Sequence, residues 1–85
     1  MARVTMTHIN GEVDNLDWYE NDSLMASLNT EETFDCFVEA LEHLQHEAKQ
    51  FQRNGGINIF QNNDTTLFQA NADGSLKVRY DVFND

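Results

Sequence analysis

Residues 30–56 read TEETFDCFVEALEHLQHEAKQFQRNGG. Phe34, Phe37, Val38, Leu41, Leu44, Ala48 and Phe51 recur in steps of three and four residues with small gaps, the spacing of a single helix face. Glu31, Asp35, Glu39, Glu42 and His46 fall on the other face. Asn29 or Thr30 can cap the start, where Glu31 and Glu32 suit the positive end of the helix dipole. Lys49 and Arg53 suit the negative end. Asn54-Gly55-Gly56 supplies the stop, because glycine adopts the left-handed conformation that ends helices. The stretch therefore predicts one helix over 30–53.

Beyond Gly56 the period changes to two. Ile57–Gln61, Thr66–Ala70 and Leu76–Val82 read as three strands joined by turns at Asn62-Asn63-Asp64 and Ala72-Asp73-Gly74. Leu76, Val78, Tyr80 and Val82 alternate with Lys77, Arg79, Asp81 and Phe83, which suits a sheet with one face on a helix. Residues 3–9 also alternate and predict a strand, with Asn10-Gly11 as a hairpin turn into residues 12–18. Asp22 or Ser23 could cap a short helical turn through Leu24, Met25 and Leu28. The fold class expected is α+β: one long amphipathic helix on a three- to five-stranded antiparallel sheet with a C-terminal β-meander. With 85 residues, the chain reads as a single domain over 1–85. If the outer sheet face is bare, Phe60 and Phe83 would form an exposed patch.

Charge is the anomaly. The chain carries 15 acids against 5 Lys and Arg, a formal net charge of −10. Eleven of the acids lie between Glu12 and Glu47 with no Lys or Arg among them. The remainder of the chain is close to neutral. Helix faces ordinarily mix signs and gain from oppositely charged pairs four residues apart. Glu31, Asp35 and Glu39 repeat at that spacing with like charge, so the segment reads as a surface presented to a partner. Asp14, Asp17, Trp18, Tyr19, Glu20, Asp22, Glu31, Asp35, Glu39 and Glu42 are its candidate binding residues, with Trp18 and Tyr19 as aromatic anchors rimmed by acids.

Such a surface repels nucleic acid and anionic lipid. Its complement is a protein with a basic surface, of the kind built to bind nucleic acid. Size and composition are those of small acidic proteins, many from phages and mobile elements, that block such machines by mimicking nucleic acid. The expected function is a non-enzymatic inhibitor. The alternative is an assembly subunit that self-associates through its sheet, as a homodimer for example, with acidity serving only solubility.

Chemistry is sparse by comparison. His43, His46 and Glu47 approach a zinc-protease pattern, but the histidines are three apart and the Glu follows the second, so the motif fails. No phosphate loop or nucleophile–base order is present. No enzyme activity, cofactor or metal is expected. Cys36 is the sole cysteine and reads as a small, partly buried hydrophobe. One cysteine and an N-terminus without an apolar leader suit the cytoplasm, a host's if the protein is viral. No run of residues is long and apolar enough to span a membrane.

Overall fold

The computed structural model describes residues 1–9, 25–73 and 77–85. The element order is β1 (Ala2–Ile9), β2 (Met25–Phe34), α1 (Phe37–Arg53), β3 (Ile57–Gln61), β4 (Thr66–Ala70) and β5 (Lys77–Asn84). The strands form one antiparallel sheet in the order β2-β1-β5-β4-β3, with α1 on one face. This is the α+β architecture expected.

The helix is 17 residues long and begins at Phe37, seven residues later than Thr30. Residues 30–34 belong to β2, which pairs with β1 from Ala2↔Phe34 to Ile9↔Met25. Cys36 takes the N-cap position without a side-chain cap, and it is exposed rather than partly buried. Glu39, not Glu31 or Glu32, is the acid of the first turn. Phe34 still reaches the core, but from a strand. Val38 is 59% exposed and leaves the apolar face.

β1 is paired on both sides, by β2 and β5. No hydrogen-bonding edge remains for the pairing expected between residues 3–9 and 12–18. Met25–Leu28 lie in β2, not in a helical turn. The hairpin pair Asn10-Gly11 and the possible caps Asp22 and Ser23 fall outside the described residues.

Alternation places Ala2 and Val4 of β1, Val82 of β5 and Leu67 of β4 toward the helix, where they pack with Ala40, Leu44 and Ala48. The four-residue recurrence of these helix positions is one narrow stripe, and the two alanines let the helix approach the sheet closely. Phe34, Phe37, Leu41, Phe60 and Tyr80 surround this centre. Phe60 thus packs inward rather than joining an exposed patch, because it pairs with Leu67 on the helix side of the sheet. Phe83 is 40% exposed and lies under the Arg3 guanidinium, 4.2 Å from its ring centroid.

The far face is not bare: Thr5, Thr7, Thr66 and Phe68 are buried there. Its polar groups are linked in series. Asn62 Nδ2 donates to Thr66 Oγ1 at 3.1 Å, Thr66 Oγ1 donates to Asp81 Oδ1 at 3.0 Å, and Arg79 Nε lies 2.9 Å from Asp81 Oδ2. The turn from β3 to β4 holds Asn62, Asn63 and Asp64 at φ of 55°, 55° and 63°. Asn and Asp are the side chains that tolerate that left-handed region best.

The predicted helix stop is present in full. Gly55 has φ +84°, its N–H donates to Gln52 O, and the Gly56 N–H donates to Phe51 O, each at 3.0 Å. This is a Schellman cap. A Cβ on Gly56 would collide with the Phe51 ring. Gly56→Ala is therefore expected to cost about 1–3 kcal/mol through overpacking, read as a lower urea midpoint. An unchanged midpoint would show that the ring is free to swing aside.

Candidate functional site

Two features stand out, one at each end of the helix. At its start, β2 ends at Phe34, the chain bends at Asp35-Cys36, and α1 begins. Glu31, Glu32, Asp35, Glu39 and Glu42 are all exposed around this junction. A strand points successive side chains to opposite faces, so Glu31 and Glu32 separate. Glu31 faces outward, 3.4 Å from Arg3 Nη1, while Arg3 Nε donates to Asp85 at 2.8 Å. Glu32 faces the helix side, 3.4 Å from His43 Nε2. His43 also rests against the Phe34 ring, with centroids 5.1 Å apart.

Among the described residues no Lys or Arg pairs with Asp35, Glu39 or Glu42. Their charge faces solvent at the junction, on which the positive end of α1 also lies. The expected repulsion along a helix between Glu31, Asp35 and Glu39 is absent, because only Glu39 of the three is helical. The carboxylates gather by strand, bend and helix start instead. Asp14, Asp17, Trp18, Tyr19, Glu20 and Asp22 lie outside the described residues.

Among the described strands β2 is also at an edge of the sheet. Charged side chains on an edge discourage unwanted strand pairing, which gives Glu31 and Glu32 a structural role beside any recognition role. β3, at the other edge among the described strands, carries no charged residue and leaves Ile57 38% exposed.

The second feature is a cleft of about 260 Å³ beside the C-terminal half of α1. Met6, Val78 and Tyr80 form its apolar floor, and Phe51 adds a ring from the helix. Polar groups converge on it: Glu47 and Gln50 from α1, Asn54 from its C-cap, His8 from β1 and Gln69 from β4. Register explains the floor, since β5 sets Tyr80 beside Met6 and Val78 beside His8. Helical steps of three and four explain the wall.

A partly buried amide pair anchors the helix here. Asn58 Nδ2 donates to Ala48 O at 2.8 Å, and Gln69 Nε2 donates to Asn58 Oδ1 at 3.0 Å and to Glu47 O at 3.4 Å. Nothing in the sequence reading anticipated this cleft. The available signal was Asn58 and Gln69, two amides at helix-facing positions of strands that are otherwise apolar there.

Burial, and then the nearby Glu47 charge, push the Tyr80 phenol above its ordinary value of 10.0. The folded state favours the neutral phenol, so its contribution is complete below 10.0 and is lost as pH rises through the higher folded value. Tyr80→Phe is expected to flatten the alkaline fall in melting temperature relative to the parent. Parallel curves for the two chains would show that Tyr80 does not contribute to it.

Among the described residues no three His, Cys, Asp or Glu side chains gather as a metal site requires. His43 and His46 do not act together: His43 turns toward β2, and His46 faces solvent. Among the described residues no helix is long and apolar enough to cross a membrane. Comparison with protein-family models, curated proteins and solved structures found no match.

Proposed function

We propose that this chain is a non-enzymatic binding module that sets its acidic β2–α1 junction against a basic surface of a partner protein and blocks it. The observation that carries this reading is the group of five exposed carboxylates, Glu31, Glu32, Asp35, Glu39 and Glu42, with Arg3 as the one Lys or Arg paired to any of them among the described residues. The acids at 12–22 continue the same charge along the chain. Fields of this sign accelerate encounter with cationic surfaces and are weakened by salt. Surfaces that bind nucleic acid are the natural complement, since carboxylates can occupy positions built for phosphates. Inhibition in the cytoplasm, a host's if the protein is viral, would follow from occupancy alone and needs no cofactor or catalytic group.

The test is capture by the immobilised chain at low and high salt, followed by competition with duplex DNA. The reading requires a partner held at low salt, released at high salt and displaced by DNA. Salt-independent capture contradicts it. A second reading, self-association through the sheet, rests on the uncharged β3 edge and on exposed Ile57 and Phe83. Light scattering decides it, and a monomer at high concentration removes it.

A further inference from the structure

We propose that the cleft beside the C-terminal half of α1 binds an organic monocation, a guanidinium or alkylammonium group on a short apolar stem. The cleft lies along residues 47–54, past the junction, which ends at Glu42; His43 stands between them, its Nε2 3.4 Å from Glu32 and 3.9 Å from Glu47 Oε1. Its volume of about 260 Å³ is below the usual range for cofactor pockets. It has room for one side chain or a small amine, not for a nucleotide.

The lining selects the class of guest. Among the described residues Glu47 is its one carboxylate and no Lys or Arg lines it, His8 being the other titratable group besides Tyr80. An anion would meet that carboxylate inside a chain of net charge −10. A wholly apolar guest would strip water from Gln50 and Asn54 and return no hydrogen bonds. A divalent metal would need a gathering of ligands that the described residues do not form. A cation answers the carboxylate and the amide oxygens at once. Its N–H donors meet the Glu47 carboxylate and the amide oxygens of Gln50 and Asn54, and its stem lies on Met6 and Val78. The rings of Phe51 and Tyr80 offer π faces, which attract cations. The Tyr80 phenol, pushed up by burial and then by the Glu47 charge, is in keeping with this geometry.

The experiment is an amide-resolved NMR titration of the whole chain with butylguanidinium, butylammonium and butyrate. Both cations should give saturable shifts along residues 47–54 and in β1 and β5, with Kd on the order of 1 mM. Butyrate should give none. Glu47→Gln should weaken cation binding about tenfold or more, the loss expected for a hydrogen bond to a charged group. Gln50→Ala, on the exposed wall, should weaken it less and guards against a folding defect at position 47. Glu39→Gln with Glu42→Gln should weaken it by no more than about threefold, because both side chains are exposed and lie about one Debye length from Glu47, where screening is substantial.

Equal shifts with butyrate, no saturable shift with either cation, or unchanged binding by Glu47→Gln would overturn the proposal. So would an equal loss in the Glu39/Glu42 variant, which would reduce the effect to general electrostatics. A blocked Gly-Arg-Gly peptide separates the sources of the cation. Binding at least as tight as butylguanidinium assigns the cleft to a basic side chain of a protein, and exclusion of the peptide assigns it to a free small amine. The outcome does not depend on the acidic junction, so either reading can fail while the other stands.

Discussion

Leu44→Ala is expected to lower stability by about 2–5 kcal/mol, a large fraction of the total for a domain this small. Leu44 is 0% exposed and sits at the centre of the helix–sheet contact with Leu67, also 0% exposed. Its immediate neighbours include Ala40 and Ala48, which have no side-chain length with which to fill a void. The cavity would stay open, and the cost rises with the volume left. A small domain has little reserve, because it buries only about 60% of its unfolded surface. Urea unfolding measures the effect. Val38→Ala, on the same helix but 59% exposed, should change stability by no more than about 0.5 kcal/mol. Similar costs at the two positions would mean that the helix is rotated from the orientation described.

Replacing Asp35, Glu39 and Glu42 together by Lys is expected to abolish partner capture while leaving the fold intact. Each exchange adds two charges, so the net charge moves from −10 to −4. All three side chains are exposed, and Glu39 alone occupies the first turn, where losing a favourable dipole interaction costs about 0.3–1 kcal/mol. Association should slow by about 10- to 1,000-fold at low salt, the range that steering supplies. At high salt the difference from the parent should shrink. A variant that unfolds like the parent within about 1 kcal/mol and still captures the partner at low salt would remove the acidic junction from the interface.

The sequence made some parts of this fold plain and hid others for physical reasons. The meander is visible because Val78, Tyr80 and Val82 alternate with Arg79, Asp81 and Phe83, and because Asn62-Asn63-Asp64 suits a left-handed turn. The helix stop is visible because Asn54-Gly55-Gly56 has few other uses. The segment 30–36 misleads. Glu31 and Glu32 favour helix, and Phe34 extends the apolar spacing of Phe37 and Leu41 by another turn. What makes it a strand is pairing with Ala2–Met6, far away in the chain, and such context overrides local preference. Thr30, Thr33 and Phe34, all strand-prone, were the weak sign of it.

The acidic junction and the cleft were legible to different degrees. The charge imbalance could be counted, but the grouping of Glu31, Glu32, Asp35, Glu39 and Glu42 depends on a strand–bend–helix junction rather than on helical repeats. The cleft was hidden altogether. It needs the β1–β5 register to bring Met6 beside Tyr80, and it needs Gln69 and Asn58 to fix the helix above them. No local pattern encodes that combination.

On the function we propose, position of charge, not its total, makes the acidic junction a recognition surface. The direct measurement compares two variants of equal net charge on the same helix. Glu39→Gln with Glu42→Gln, and Gln45→Lys with Gln52→Lys, each change −10 to −8 at exposed positions. Partner affinity at low salt is measured for both. The account predicts a loss of about tenfold or more for the first pair and a change within about threefold for the second. Equal losses, or a greater loss for the second pair, would contradict it.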